Sequence, residues 1–350
     1  MRDIAAAAKV SIATVSIALS RRMGTARISE SCIQRVRAVA TELGYLENYH
    51  AKALKEGRSR TIGLMIGGSG PSYIGNQYWG RIASGLEFAA RSAGYDVLMV
   101  GGTQHSDPVQ RTLNLIMSGR IDGVVVPVNL YGGMPLAFQQ IKAPIVQLFR
   151  EDLQLRPRVL FHDTPGIVAA VCHLAELGHH RIAWLGYEGL TSRHARYQNR
   201  VRAFQGACAR LGIAAEHVIM EELPEHYAIY GHSVEAYLNT MRPLPIRADV
   251  TAVLCMNDAC ALALLHLLGE RGLSCPADLS IIGFDHLYAD ITPRPLTTIS
   301  HRLDEIGAAA AAMLVRNIED PEAALPDEEI SIPSSFVPGV TTGPARTRER

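Results

Sequence analysis

The sequence predicts an α/β protein that begins with a small all-helical head. From residue 61 onward, short β-prone runs alternate with amphipathic helical stretches, which indicates parallel strands joined by helical crossovers. In the first 45 residues the apolar spacing is helical throughout. The chain has 350 residues, 48% of them hydrophobic, so it can bury the cores of about two domains.

Three short helices are predicted in the head. The alanine-rich segment 3–8 is a strong helix former, and Ser11 is a good N-cap for a second helix that ends near Leu19. A third helix is predicted after Ser29, and Gly44 provides its C-cap. The first two helices are joined by a turn of only a few residues, so the pattern is helix, tight turn, helix.

Apolar spacing assigns a face to each of the last two head helices. The second helix has an inner face of Val15, Ala18 and Leu19. The third has one of Ile33, Val36, Ala40 and Leu43. The side of the second helix that is left for another partner carries Ile12, Ala13, Ser16 and Ile17.

The body is predicted from the same kind of periodicity. The runs typical of strands are 61–66, 96–100, 123–127, 145–149, 181–186, 252–256 and 280–284. The helical stretches between and after them are 78–93, 108–118, 166–177, 200–211, 258–271 and 303–318. Most of these helices are followed by glycine, which is typical of a C-cap.

The net charge of zero conceals an asymmetry between head and body. Residues 1–60 hold 11 Lys and Arg against 5 Asp and Glu, a net charge of +6. The totals of 34 and 34 leave 23 basic and 29 acidic residues, a net charge of −6, for the rest. A basic head suits a module that binds a polyanion, although an ordinary solvated surface would give the same counts.

No segment predicts a membrane span, an export signal, a metal site or a cofactor. Apolar runs are short and the N-terminus has no long apolar stretch, so we expect a cytoplasmic protein. The six cysteines are scattered without a CxxC pair or histidines at metal-ligand spacing. The glycine-rich loop 67–72 lacks the lysine of a P-loop and the spacing of a dinucleotide fingerprint. We find no catalytic constellation and expect no cofactor.

Three motifs in the head resemble the lactose-repressor family of bacterial transcription regulators. They are Asp3-Ile4-Ala5, then Val10-Ser11-Ile12-Ala13-Thr14-Val15-Ser16, and later Glu42-Leu43-Gly44-Tyr45. The resemblance implies a helix-turn-helix in residues 1–46 whose second helix enters the major groove of DNA. Two positions depart from the family pattern: Lys9 replaces the usual turn glycine, and Ile17 replaces the usual arginine.

The resemblance also assigns DNA contacts. Base edges would be read by Ile12, Ala13 and Ile17, and phosphates would be contacted by Ser11, Thr14 and Ser16. Isoleucine cannot make the bidentate guanine contact of an arginine, so an unusual operator preference is expected. The alternative for Ile17 is that it belongs to the core of the head.

Residues 47–60 resemble the hinge helix and linker of the family. Such a helix is too short to be stable alone, and in the family it folds when two subunits meet on DNA. Leu54 would then wedge into a minor-groove step, with Lys52 and Lys55 neutralising phosphates. A plain basic linker is the alternative.

Residues 61–345 resemble the family's effector-binding and dimerisation domain, which is similar to periplasmic binding proteins. Its motifs include Arg120-Ile121-Asp122-Gly123, Cys255-Met256-Asn257-Asp258 and Pro295-Leu296-Thr297-Thr298-Ile299. The implied fold has two doubly wound parallel-sheet lobes around a cleft. Lobe 1 would comprise about 61–161 and 290–325, and lobe 2 about 162–289 and 326–342. The chain would therefore cross between the lobes near residues 161, 289 and 325.

Ligands of open α/β sheets bind at the carboxyl ends of the strands. By resemblance the effector pocket would contain Tyr78, Trp79, Arg150, Asp163, Arg200, Asn257 and Asp285. Arg and Asp can each hold neighbouring hydroxyls, and an aromatic ring can cover the apolar face of a sugar, so a carbohydrate effector is expected. The alternative for Arg200 and Asp285 is a structural ion pair or cap.

Three functions are compatible with such a head and body. The preferred one is a ligand-controlled repressor that binds a palindromic operator as a homodimer, since a two-fold symmetric site needs a two-fold symmetric reader. A sugar-binding transport component could share the body, but it would need an export signal in place of the basic head. An enzyme on the same scaffold would need a nucleophile and base or a metal site, so we expect no enzymatic activity.

Overall fold

The computed structural model describes residues 1–19, 28–45, 53–54, 56–66, 77–101, 107–127, 138, 141–149, 157–187, 195–213, 218–223, 234–242, 244, 246–288, 294–322, 325 and 328–346. The chain forms two compact units, Met1–Ser59 and Arg60–Arg350. They are described separately below as the head and the body.

The head contains the three predicted helices, α1 (Arg2–Ala8), α2 (Ile12–Leu19) and α3 (Glu30–Glu42). They enclose a small apolar core built from Ile4, Ala5, Ala8, Val15, Ala18, Val36 and Ala40. The predicted inner face of α2 is therefore confirmed. The prediction for Leu43 is wrong, because this residue follows the last turn of α3 and its side chain is 51% exposed.

The turn between α1 and α2 is tight because Lys9 adopts the left-handed conformation, with φ 54° and ψ 48°. This backbone conformation explains why glycine is common at the position, since a side chain disfavours it by roughly 1–2 kcal/mol. Ser11 then begins α2 as predicted: its Oγ accepts a hydrogen bond from the backbone N–H of Thr14 at 3.1 Å. Gly44 follows α3 with φ 61°.

The body alternates strands and helices in the predicted way. Its strands are β1 (Thr61–Met65), β2 (Asp96–Val100), β3 (Gly123–Pro127), β4 (Ile145–Leu148), β5 (Arg158–His162), β6 (Ile182–Tyr187), β7 (Val218–Leu223), β8 (Ala252–Cys255), β9 (Ser280–Ile282), β10 (Thr298–Ser300), β11 (Glu329–Pro333) and β12 (Ser335–Val337). Its helices are α4 (Gln77–Ser92), α5 (Pro108–Met117), α6 (Thr164–Glu176), α7 (Ala195–Arg210), α8 (Val234–Thr240), α9 (Asp258–Glu270) and α10 (Leu303–Glu319).

Within the described part of the chain, the strands form two parallel sheets and one small antiparallel pair. The first sheet has the order β11-β5-β4-β3-β1-β2 and the second the order β7-β6-β8-β9. In the antiparallel pair, β10 lies beside β12. Each strand order reverses at a switch point, so the predicted α/β class with doubly wound parallel sheets is confirmed.

The chain passes between these sheets at three points that lie close together. It leaves the first sheet after β5, returns to it through α10, and leaves again between β11 and β12. At the last crossing the Ser334 hydroxyl donates to the backbone oxygen of Asp163 at 2.9 Å and accepts from the N–H of Gly166 at 3.1 Å. Hydrogen bonds thus tie the first and third crossings to each other.

One strand lies elsewhere than the sequence analysis placed it. β11 pairs in parallel with β5, so it belongs to the first sheet, whereas residues 326–342 were assigned to lobe 2. An ion pair between Arg158 and Glu329 joins the two strands. β11 is an edge strand with exposed and half-buried residues in alternation, so its sequence does not indicate which sheet it joins. The division into lobes stays a prediction.

Two glycines bring α4 and α10 into close contact. A Cβ on Gly85 would lie 1.8 Å from the backbone oxygen of Asp304, and one on Gly307 would lie 2.0 Å from that of Ile82. Only glycine permits this approach, and α10 also packs against β3, β4 and β5 of the first sheet. Among the described residues, no helix combines the length and apolar character needed to cross a membrane.

Candidate functional site

Four buried polar side chains meet where the chain crosses between the sheets. They are Asp163 after β5, Arg200 on α7, Asp285 after β9 and His301 after β10. Asp163 and Asp285 follow strands of the two parallel sheets at their carboxyl ends, where ligands of such sheets bind. Two carboxylates, a guanidinium and an imidazole are therefore held together in the interior of the body.

Arg200 is the centre of this network. Its Nε donates to Oδ2 of Asp163 at 2.6 Å, and its Nη1 lies 3.4 Å from the backbone oxygen of Met256. The guanidinium lies over the ring of Phe284, with Cζ 4.1 Å from the ring centroid. Paired and stacked in this way, the buried charge is compensated by neighbouring side chains.

His301 connects the two carboxylates to the arginine. Its Nδ1 lies 3.1 Å from Oδ1 of Asp163, and its Nε2 lies 2.8 Å from both Oδ1 of Asp285 and Nη2 of Arg200. A guanidinium only donates, so Nε2 accepts from Arg200 when it carries no proton and donates to Asp285 when it does. The ring thus links the first crossing, the second crossing and α7.

Asp285 reaches the network from a strained loop. Its φ is 90° and that of the next residue, His286, is 58°, both rare for residues with a side chain. The N–H of Asp285 donates to the backbone oxygen of Ile299 at 2.8 Å, which ties the loop to β10. Backbone strain of this kind is common at binding sites, where the surroundings must enforce it.

Asn257 has a defined local role at the start of α9. Its Oδ1 caps the helix by accepting from the N–H of Cys260 at 2.8 Å, and its Nδ2 donates to the hydroxyl of Tyr237 at 2.6 Å. The side chain is therefore held from both ends. It can contact an effector only from this fixed orientation.

An aromatic cluster lies beside the polar network. Phe149 and Phe161 stack with ring centroids 4.5 Å apart, and Tyr78 meets His301 edge-on at 6.3 Å. Trp79 contacts Phe149 at 5.8 Å between centroids. A cavity of about 350 Å³ opens next to Asp163 and is lined by Phe161, His162, Asp163, Thr164, Asn199, Arg202 and Ala203.

The structure therefore brings together most of the residues predicted for the effector site. Asp163, Arg200 and Asp285 are linked directly through His301, Tyr78 and Trp79 belong to the adjoining aromatic cluster, and Asn257 follows β8 next to Met256. Arg150 lies outside the described residues. The predicted alternative for Arg200 and Asp285, a structural role, describes their contacts in this structure.

Sequence reasoning missed four residues of this region: His301, Phe284, Phe149 and Phe161. A signal for His301 existed, because it follows the Pro295 to Ile299 motif, and polar residues after strands are the first candidates at such a site. The three phenylalanines gave no such signal, because an apolar residue at the end of a strand is usually core.

The head presents a second candidate site on α2. Ile12 is 48% and Ile17 38% exposed, and Ala13 is exposed beside them, so the core alternative for Ile17 is not what the structure has. Ser11 and Thr14 are joined through their hydroxyls at 2.9 Å. Ser16 is half-buried on the same helix. The result is an exposed apolar surface next to hydroxyl groups.

Of the predicted hinge residues, Leu54 is described and its side chain is 88% exposed. It lies in a short helical segment, followed by Gly57 with φ 67°. Lys52 and Lys55 lie outside the described residues. A leucine side chain this exposed has few apolar contacts within the chain, and a binding partner would provide them.

Comparisons with known proteins match both the head and much of the body to known families. The model of bacterial regulatory proteins of the lacI family matches residues 1–48, and that of a periplasmic binding protein-like domain matches residues 171–342. The HTH-type transcriptional repressor CytR of Escherichia coli K12 is 33% identical over 331 residues, 91% of this chain and 89% of the relative.

Two solved structures share the fold. A Lac repressor dimer bound to operator and the anti-inducer ONPF has a TM-score of 0.73 at 22% identity, covering 97% of this chain and 98% of that one. A LacI family regulator from Enterococcus faecium with bound ribose has a TM-score of 0.66 at 23% identity, covering 82% of this chain and 100% of that one.

Proposed function

Because the chain belongs to the lacI family of bacterial regulatory proteins, we propose that it is a repressor that binds a palindromic operator as a homodimer and responds to a small polar effector. The relatives are transcription regulators, so the chain is a regulator and not an enzyme. A regulator of this kind acts where its operator is, which is the cytoplasm. The transport alternative is less well supported, because it does not account for a head that matches regulatory proteins.

The effector we propose is a sugar or sugar derivative. The observation that carries this proposal is the buried Arg200, Asp285 and His301 network beside stacked aromatic rings. Arginine and aspartate hold adjacent hydroxyls through charge-assisted hydrogen bonds, and aromatic rings cover the apolar face of a sugar. Similar folds are reported with ribose and with cellobiose, which supports the same ligand class.

Effector binding would change specific contacts within the polar network around His301. A sugar hydroxyl that binds Oδ1 of Asp285 or Nη2 of Arg200 would compete with the contact that the same atom makes with His301. His301 also contacts Asp163 at the first crossing between the sheets. Effector binding would therefore change contacts at two crossings. A ligand that binds one arrangement of the two parts of the body more tightly than another shifts the equilibrium toward the first.

For DNA, we propose that α2 reads bases through Ile12, Ala13 and Ile17, while Ser11, Thr14 and Ser16 contact phosphates. Apolar side chains favour the methyl group of thymine and cannot bond the guanine edge. The exposure of Ile12 and Ile17 supports this assignment. Leu54, together with Lys52 and Lys55, would act at the minor groove between the half-sites.

The operator proposal is tested by selecting binding sites from random DNA with the full chain and with Ile17→Arg. We expect a palindrome from the wild type, and at the base facing residue 17 a change to guanine in the variant, because arginine bonds guanine bidentately. Leu43→Arg is the matched control, since it adds the same charge at an exposed position of the head, directly after α3. A palindrome that is unchanged in Ile17→Arg, or changed equally in Leu43→Arg, would mean that α2 is not the reading helix in this register.

The effector proposal is tested by thermal-shift screening of sugars, polyols and nucleobases against the full chain. A ligand that binds only the native state raises the melting temperature. Calorimetry of Asp285→Asn with each hit should show a loss of about 1.5–3 kcal/mol, the range for hydrogen bonds to charged groups. Asp278→Asn, at a half-buried aspartate that bonds Ser274, is the control. Hits only among nucleobases, or wild-type affinity in Asp285→Asn, would contradict the sugar site.

A further inference from the structure

Asp258 at the start of α9 stands behind the effector site and is not among the residues proposed to touch the ligand. We propose that Asp258 is a positioning residue that holds the loop 284–288 in the conformation that presents Asp285 to an effector. This inference rests on the proposed function, because only that function makes Asp285 an effector contact. The loop conformation itself can be tested without any ligand.

The side-chain hydrogen bonds of Asp258 go to the loop and to β10. Its Oδ2 accepts from the N–H of Leu287 at 2.6 Å and from that of Tyr288 at 3.3 Å. Its Oδ1 accepts from the hydroxyl of Thr298 at 2.5 Å, and its own N–H donates to the backbone oxygen of Phe284 at 2.8 Å. The buried side chain therefore fastens the far end of the loop to β10, and the backbone N–H of the same residue holds the near end at Phe284.

The loop needs this support because of its backbone. Two consecutive residues with side chains, Asp285 and His286, have positive φ. Each such conformation costs about 1–3 kcal/mol and persists only where the surrounding structure enforces it. Gly283 shows how closely the carboxyl group approaches: a Cβ there would lie 2.3 Å from Oδ1 of Asp258. Only glycine therefore fits at position 283, and the chain then continues through Asp285 and His286, the two residues with positive φ.

Burial moves the pKa of the Asp258 carboxyl group toward neutral pH. It raises the pKa of Asp258 to about 7, and the negative charge of Asp285 adds to the increase, whereas the bonds from Thr298, Leu287 and Tyr288 oppose it. The titratable groups that face Asp258 are Asp285 and Tyr288 on the loop and Cys255 on β8. All are acids, so none of them compensates its negative charge.

Lifting the loop would expose Asp258 to water, where its pKa is that of an ordinary aspartate. The closed loop therefore binds more protons than the open loop between about pH 4 and pH 7. By linkage, opening becomes up to about tenfold more favourable per pH unit in this range and levels off above it. A carboxylate that merely stabilises the N-terminus of α9 would not couple its proton to the loop.

The test is hydrogen–deuterium exchange of the full chain at pH 5, 6, 7 and 8, corrected for the intrinsic exchange rate, with protection read in peptides that cover 284–288. In the wild type we expect opening to increase by about tenfold per pH unit up to pH 7 and then to stay constant. Asp258→Asn should remove this slope and keep the protection. Its amide oxygen can accept from the two N–H groups, and its NH₂ can donate to the Thr298 hydroxyl.

Two further variants complete the design. Asp258→Ala should lose protection of the loop by about tenfold or more at every pH, since two loop N–H groups lose their acceptor. Thr298→Val, which leaves Asp258 in place, should give a smaller loss and serves if Asp258→Ala does not fold. Asp278→Asn is the matched control: Asp278 also accepts from a backbone N–H and a hydroxyl, both of Ser274, but at the surface. It should behave as the wild type.

A loop as protected in Asp258→Ala as in the wild type, or a pH slope that survives in Asp258→Asn, would overturn the proposal. Calorimetry with D-ribose as the probe then separates the two ideas. If ribose binds, Asp258→Ala should weaken it at least tenfold and Asp258→Asn should restore it to within about threefold at pH 6. If ribose does not bind the wild type while the exchange results hold, the positioning role stands and the sugar proposal loses support.

Discussion

Removal of the Arg200 guanidinium should destabilise the body before it changes any response to a ligand. In Arg200→Met the side chain keeps its apolar length, but Asp163 loses the 2.6 Å partner of its Oδ2 and stays buried. Breaking a buried ion pair from one side typically costs about 3–5 kcal/mol. For a body of this size, about 2 °C per kcal/mol translates this into a melting temperature lower by roughly 6–10 °C.

The assay is thermal and urea unfolding of the full chain followed by intrinsic fluorescence. Both tryptophans, Trp79 and Trp184, are buried in the body, so the signal follows this unit. A second substitution, Asp163→Asn, removes the charge that Arg200→Met leaves behind. The double variant should therefore recover part of the loss, with a coupling energy of about 1–3 kcal/mol in the double-mutant cycle.

Arg242→Met provides the control, because Arg242 pairs with Glu270 at the surface. An exposed pair contributes at most about 1 kcal/mol, so this variant should melt within about 2 °C of the wild type. An Arg200→Met protein that melts with the wild type, or a coupling energy near zero, would refute the buried-pair reasoning. The prediction has a practical consequence: loss of effector binding in an Arg200 variant alone does not identify a ligand contact.

Three further predictions follow from single residues. The pKa of Asp258 is about 7 in the folded state and 3.8 ordinarily, so the folded state binds more protons between these pH values. The free energy of unfolding should therefore fall by up to about 1.4 kcal/mol per pH unit as the pH rises from 4 to 7. In urea titrations, Asp258→Asn should lack this part of the pH dependence. Lys9→Gly should stabilise the head by up to about 1 kcal/mol, because it relieves the left-handed φ of 54° at the expense of some chain entropy; a lower melting temperature of the head in circular dichroism would count against this. Leu54→Ala should reduce the bend angle and affinity of operator DNA in a permutation assay and leave effector affinity unchanged, since Leu54 is exposed and lies in the head unit; an unchanged bend would favour the plain-linker alternative.

Much of the fold could be read from local pattern. The helix that starts at Ser11 and the C-cap at Gly44 depend on residues within one or two turns, and both are where the sequence analysis expected them. Leu43 shows the limit of the method: it continues the apolar spacing of α3, but the helix ends before it and the side chain remains exposed. Periodicity predicts a face only as far as the helix continues.

The candidate site was predicted in part, and the missing part has a physical cause. Asp163, Arg200 and Asp285 were recognised as polar residues in the right sequence context, but Arg200 bonds Asp163 across 37 residues of the chain and His301 across 101. His301 was missed because its importance comes from three partners on three different elements. No local sequence pattern indicates contacts between residues that are this far apart in the chain.

The sequence by itself determined the all-helical head, the succession of strands and helices in the body, the charge asymmetry and the family. These properties depend on residue spacing and on motifs a few residues long, which act within one element. Only the tertiary structure decided that β11 joins the first sheet, that His301 links two carboxylates and Arg200, and that Asp258 fastens the loop of Asp285. These depend on where chain segments meet after folding, and the energy of a buried charge is set by those distant neighbours rather than by its own place in the sequence.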